Sequence, residues 1–273
     1  MNIISSAQRG EGLARNARVS LLKMTHKAQV SHVASALSVV DILSAIYSRE
    51  SAPTPQNDSA TADEFIILSK GHAAAALYSV LAEKEFFPKE WLDRYCEDSA
   101  PLGGHVTSKG VPGVELSTGS LGHGLPYGMG VAISRKYSNI SSPVIVVISD
   151  GECNEGTTWE SALIANRFRL DNLIVIIDRN KIQSLDFTEN TIPLEPLEDK
   201  WKSFGWEVIE VDGHSIGQIQ SALSTQNTCK VIIANTTKGK GVSFMEDSIK
   251  WHYKSPNDEE LKSALREVLG AES

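Results

Sequence analysis

Asp150-Gly151 and Asn180 stand thirty positions apart, each just after a short apolar run, VIVVIS (144–149) and LIVIID (173–178) respectively. A hard divalent cation prefers oxygen ligands and needs few from the protein when a diphosphate supplies the rest. One carboxylate (Asp150), one amide oxygen (Asn180) and the main-chain carbonyl of Ile182 would meet that need. Gly151 would let the backbone approach the phosphates, and a helix opening near Thr158 would offer its positive end. The same residues also suit a turn (Asp150-Gly151) and a helix cap (Asn180), so spacing alone leaves both readings open. Seven histidines form a second reservoir of chemistry, because imidazoles titrate near neutrality and can move hydroxyl protons.

These residues need elements that bring them together. Apolar runs at 65–68, 144–149, 173–178, 206–211 and 231–235 read as strands. Helical patterns cover 7–27, 35–47 (with Ser35 as a candidate cap), 73–85, 88–96, 124–137, 158–168, 215–224 and 258–269. Several strands are apolar on both faces, the pattern of a parallel sheet covered by helices on both sides. The expected fold class is therefore α/β, a doubly wound parallel sheet forming one domain over residues 1–273. The segment 51–63 (SAPTPQNDSATAD) reads as a surface loop and not as a boundary. In such sheets ligands sit beyond the carboxyl ends of the strands. That directs attention to the residues at 69–72, 150–152, 179–181, 212–214 and 236–239.

Composition excludes several classes. Twenty-six basic against 34 acidic side chains leave a net charge of -8, which disfavours nucleic acid and anionic membrane as partners. No apolar run approaches the roughly 18 to 20 residues that span a bilayer. Residues 1–8 have neither the basic nor the apolar character of a secretory leader. Cys96, Cys153 and Cys229 are scattered without a CxxC, so a disulfide framework or structural zinc is not expected and a reducing cytoplasm is. Lys238-Gly239-Lys240-Gly241 lacks P-loop spacing, and no GxGxxG follows the first strands. The five tryptophans (Trp91, Trp159, Trp201, Trp206, Trp251) have core-like rather than platform-like spacing.

The segment 149–180 resembles the thiamine diphosphate fingerprint, a GDG triplet followed by an asparagine pair. More specifically, the chain is similar to transketolase. The shared motifs are QVSHVASALS (29–38), LSKGH (68–72), GGH (103–105), ELSTGSLGHG (115–124), TKGKG (237–241), Phe244-Met245 and Trp251-His252, in order along nearly the whole chain. The resemblance implies a thiamine diphosphate-binding fold with Asp150, Asn180 and the Ile182 carbonyl holding Mg²⁺ or Ca²⁺. Gly151 would lie against the diphosphate, with His72 and His252 in contact with it. Gly119 and Leu121 would line the middle of the cofactor, Leu121 packing beneath it. His32 and His105 would face the thiazolium carbon and substrate hydroxyls, and His72 joins them as a catalytic histidine. Glu155 matches a glutamate at the interface connecting two active sites. His26 and His214 are expected to be structural or idle, and His123 is left open. The chain departs from the family at Ser149, Arg179 and His123, and at Tyr253 where glycine is usual; Arg179 adds a cation near the site.

The resemblance further implies ketol transfer, a two-carbon unit passing from a ketose phosphate or related ketose to an aldose. The glutamate that activates the cofactor belongs in this family to a pyrimidine-binding domain, and no second α/β set follows here. The implied protein is the N-terminal half of a split transketolase, working with a separate C-terminal subunit in a heterotetramer of two chains of each kind. Two other readings stand beside it: a subunit of a 2-oxoacid dehydrogenase or deoxyketose-phosphate synthase, and a non-catalytic binding module. LSKGH and TKGKG with Trp251-His252 favour transketolase.

Overall fold

Along the interior strand VIVVIS, Ile145 and Val147 face one core while Val144, Val146 and Ile148 face another, and all five are buried. Two apolar faces require two helical layers, and a computed structural model describing residues 5–55, 64–184, 186–224 and 228–270 contains both. The strands are β1 (Phe65–Leu68), β2 (Val144–Ser149), β3 (Leu173–Arg179), β4 (Glu207–Asp212) and β5 (Lys230–Asn235). They form one parallel sheet in the order β1-β2-β3-β5-β4. The helices are α1 (Ser6–Ala28), α2 (Val33–Tyr47), α3 (Ala74–Glu83), α4 (Gly124–Tyr137), α5 (Gly156–Arg167), α6 (Thr188–Thr191), α7 (Leu197–Ser203), α8 (Ile216–Ser224) and α9 (Asp258–Leu269). One core joins α1, α2, α3 and α8 to the sheet, and the other joins α4, α5 and α7. This is the expected doubly wound α/β arrangement.

Every residue of α2 is buried, as expected of a largely apolar helix, with its one charged residue, Asp41, paired to Arg18. Its start differs from expectation. The N-cap is His32, in the left-handed region at φ 70°, and not Ser35. His32 is held there by its own N–H donating to the His252 carbonyl at 2.9 Å, so a tertiary bond replaces a side-chain cap. Residues 88–96 form only a 3₁₀ stretch, Lys89–Arg94, because Leu92 alone of that stretch is buried and no apolar face exists to anchor an α-helix. Helix α5 opens at Gly156, ahead of Thr158, and β4 begins at Glu207. Helices α6 and α7, four and seven residues long, are too short to show a helical period in sequence. Residues 56–63 of the expected 51–63 loop lie outside the described residues. Among the described residues no helix is long and apolar enough to cross a membrane.

The loop after β1 turns toward α3, and the loop after β2 turns toward α5 in the opposite layer. Connections leaving to opposite faces open a crevice at the carboxyl ends of the strands.

Candidate functional site

A cavity of about 310 Å³ occupies this crevice. Asp150, Gly151, Asn180 and Ile182 line it from the loops after β2 and β3, and His72, Leu121, Glu155 and His252 complete it. Gly71 explains why the β1 loop comes so close to residues 118–119: a Cβ there would lie 2.2 Å from the Thr118 carbonyl oxygen. That contact carries the 105–119 segment alongside His72. His105 is exposed and stands beside Gly119, whose Cβ, if present, would sit 3.7 Å from the His105 ring. His32 gathers the imidazoles, its ring centre 5.3 Å from His72, 6.2 Å from His105 and 5.0 Å from His252. The sequence-derived candidates thus converge on one place, His32, His105 and Gly119 flanking the residues that line the cavity.

The loops are tied together by Glu152, which is fully buried. Its carboxylate accepts from the Ser69 hydroxyl, from Gly122 N–H at 3.0 Å and from Ser149 N–H at 2.8 Å. One side chain therefore joins the loop after β1, the 115–124 segment and the loop after β2. A second buried cluster centres on Asp178, which accepts from Lys70 Nζ, Thr236 Oγ1 and Ser38 Oγ. Burial pushes the Asp178 carboxyl up, but the Lys70 ammonium and these hydrogen bonds outweigh it and hold the group below the usual carboxylate range.

Asp150 shows the opposite balance. Burial, and then the Asp178 charge, raise its carboxyl. It accepts from Lys181 N–H at 2.7 Å and from Gly151 N–H at 2.8 Å. Asn180 Oδ1 accepts from Ile182 N–H at 3.2 Å, and the Ile182 carbonyl accepts from Lys238 Nζ at 3.0 Å. The donor set available to a cation is thus a carboxylate, an amide oxygen and a backbone oxygen, all hard ligands. Among the described residues no group of three or more His, Cys, Asp or Glu could hold a metal ion, so further ligands would have to come from a bound anion. Gly151 leaves the backbone bare toward the cavity: a Cβ there would meet nothing nearer than the Gln183 side chain at 3.7 Å. His32 Nδ1 is buried without a hydrogen-bond partner. Oxygen ligands, a bare backbone and an orphaned imidazole nitrogen suit a metal-bridged diphosphate cofactor.

Three of these imidazoles, those of His32, His72 and His252, are kept neutral. His32 is pushed down to about 4 by burial, aided by His105, Lys238 and Lys70. His252 is pushed down to about 3 by burial and the neighbouring Lys238. His72 falls well below its ordinary value through burial and Lys70. Neutral imidazoles can accept or donate a proton, and that is the capacity a hydroxylated substrate calls for. Tyr253, 60% exposed, lies with its ring 4.5 Å from His252 and 5.8 Å from His32, at the mouth of the cluster.

Several sequence expectations change. Arg179 does add a cation beside Asp150, with Nη1 3.5 Å from Oδ2, but Glu189 and Glu195 pair with its Nη2 and neutralise it. Of the two roles expected for His214, structural or idle, it has the structural one: both ring nitrogens are bonded, to Asp41 and to Thr237 N–H. His26 pairs with Asp258 at 2.9 Å on the surface. His123 is exposed, its Nδ1 3.0 Å from the Leu121 carbonyl. Lys70, Lys238 and Glu152 fall in the loops singled out from sequence but, like Asp178, were given no role there. The available signal was charge inside matched motifs and at the end of an apolar strand, where no residue of that type is buried without a partner.

The sheet, the switch between layers and the oxygen-lined cavity define an α/β diphosphate-binding protein. Residues 11–273 match the family described as transketolase, thiamine diphosphate binding domain. The chain belongs to that transketolase family. It is 42% identical over 240 residues to an apulose-4-phosphate transketolase subunit of Actinobacillus succinogenes, covering 87% of each chain. It is 38% identical over 246 residues to a 6-deoxy-6-sulfo-D-fructose transketolase subunit of a Clostridium species, covering 89% of this chain and 90% of that one. The crystal structure of transketolase from Campylobacter jejuni superposes with a TM-score of 0.86 at 28% identity. The match covers 98% of this chain and 43% of that one, so the chain spans less than half the length of that enzyme.

Proposed function

We propose that the chain, as a single diphosphate-binding domain over residues 1–273, is the N-terminal subunit of a split transketolase. The observation that carries this reading is the convergence of Asp150, Asn180, Ile182 and the bare Gly151 backbone with His72 and His252 on one cavity, with His32 and His105 beside them. Bound thiamine diphosphate supplies the nucleophilic carbon for cleaving and rejoining a carbon–carbon bond in a sugar. Asp150, Asn180 and the Ile182 carbonyl would hold Mg²⁺ or Ca²⁺ against its diphosphate. The positive end of α5 and the neutral His72 and His252 face the same anion. His32 and His105 exchange protons with the hydroxyls of a ketose donor and an aldose acceptor, a role that the unpartnered Nδ1 of His32 supports.

The partner is a separate C-terminal subunit that contributes the pyrimidine-binding domain and its activating glutamate, in a heterotetramer of two chains of each kind. Relatives that are themselves named as single subunits of a transketolase, and that match over nearly their full length, support a two-chain enzyme. So do the exposed apolar side chains Tyr127 on α4 and Leu163 and Ile164 on α5, which such an assembly would cover. Glu155, exposed at the N-cap of α5, would lie near the interface between the two sites. A reducing cytoplasmic setting belongs to the same proposal and agrees with the unpaired thiols of Cys96, Cys153 and Cys229.

The test is a ketol-transfer assay with saturating thiamine diphosphate, Mg²⁺ and a panel of ketose phosphates, run on the chain with and without a pyrimidine-domain subunit. Turnover is expected only when both are present. Robust multiple turnover by this chain alone would refute the split-enzyme reading.

A further inference from the structure

His214 follows β4 and does not line the cavity, yet it is bonded through both ring nitrogens. Nε2 lies 2.8 Å from the main-chain nitrogen of Thr237. An amide N–H can only donate, so Nε2 is the acceptor and the ring carries its hydrogen on Nδ1. That Nδ1–H donates to Asp41 Oδ2 at 2.7 Å. Asp41 in turn accepts from both Nη atoms of Arg18, at 3.0 and 2.5 Å, and Arg18 Nε donates to the Lys240 carbonyl at 3.2 Å. The three side chains therefore grip the loop after β5 at Thr237 and at Lys240, on either side of Lys238. A bidentate guanidinium–carboxylate pair is a rigid support, and only 14% of the His214 side chain is exposed.

Lys238 is the residue this grip aims. Its buried ammonium donates to the Ile182 carbonyl at 3.0 Å and to His252 Nδ1 at 2.9 Å, both of which line the cavity. Moving the loop would withdraw the ammonium from a candidate ligand and from an imidazole at once.

We propose that His214 is a positioning residue for cofactor binding: by accepting from Thr237 N–H while braced by Asp41 and Arg18, it sets Lys238 against Ile182 and His252. The inference rests on the reading of the cavity as a thiamine diphosphate site. Groups behind the direct contacts of such sites commonly change affinity by about 10- to 100-fold when removed.

The experiment measures thiamine diphosphate affinity in the presence of Mg²⁺ by calorimetry. It uses the chain assembled with its pyrimidine-domain subunit, with hydrogen exchange of the 236–241 peptide followed in the cofactor-free assembly. His214→Ala is expected to weaken binding about tenfold and to speed exchange in that peptide. His214→Gln, whose amide oxygen can replace Nε2 as the acceptor, is expected to recover most of both, which also guards against a variant that merely folds poorly. In a Lys238→Met background, His214→Ala should add no further loss of affinity. Parent-like affinity in His214→Ala, or an equal loss in both backgrounds, would overturn the proposal alone. A parent assembly that binds no thiamine diphosphate would overturn the proposal together with the reading beneath it.

Discussion

Lys70 and Asp178 form an ion pair in which neither side chain has any solvent exposure, at the carboxyl ends of β1 and β3. The same carboxylate accepts from Ser38 on α2 and from Thr236 after β5. Four segments that carry site residues thus meet on one charge. Lys70→Met would leave that carboxylate buried without its cation. Removing one partner of a buried pair costs about 3–5 kcal/mol. Denaturant unfolding should register a loss of this size for Lys70→Met and a clearly smaller one for the double variant Lys70→Met, Asp178→Leu. A loss under about 1 kcal/mol in the single variant would contradict the arrangement.

Asp150 carries the only carboxylate of the proposed metal site. Asp150→Ala should lower the Mg²⁺-dependent affinity for thiamine diphosphate by on the order of a hundredfold, as expected for taking one charged ligand from a cation. Equal titration curves for parent and variant would remove Asp150 from the site.

The depressed imidazoles make stability depend on pH in a definite direction. His32 titrates at about 4 in the folded state against an ordinary value of 6.5. Between these values the unfolded chain takes up a proton that the folded chain refuses, so stability falls as the pH drops from 6.5 toward 4. Asp150 and Glu152, whose carboxyls are raised chiefly by burial, act with the opposite sign. They are untouched by His32→Gln. The difference in unfolding midpoint between parent and His32→Gln, followed in the cofactor-free protein from about pH 7.5 to 5, therefore isolates the imidazole. The variant should lose less stability over that range; parallel curves would show that His32 is not the group responsible.

Tyr253 stands where the family resemblance leads one to expect glycine, and its exposed ring lies beside those of His252 and His32. Tyr253→Gly should widen the mouth. The ratio of kcat/KM between a long and a short aldose acceptor is expected to shift by about tenfold toward the longer one. An unchanged ratio would show that acceptor length is read elsewhere.

The sheet was legible because its strands are short, several of them apolar on both faces, and spaced by helical patterns. The oxygen-bearing side chains of the cavity were legible because Asp150 and Asn180 follow such strands. What escaped was of two kinds. Helices α6 and α7 are too short for a period to emerge, and their positions depend on the long connection from β3 to β4. Lys70, Asp178 and Glu152 act through distant partners, 108 positions apart for Lys70 with Asp178 and 83 for Ser69 with Glu152. A single sequence read locally contains no mark of such pairings. The role of His214 was missed for the same reason, since its carboxylate partner lies 173 positions upstream.

The carboxylate of Glu152 also limits how this protein can be recombined. It serves three loops at once, through Ser69, Gly122 and Ser149. None of these segments is a free-standing cassette. A chimera that grafts the 115–124 segment onto a scaffold with an apolar residue at the position of Glu152 would bring the Gly122 N–H into a dry interior with nothing to receive it. Exchange between relatives must therefore move the three loops as one block.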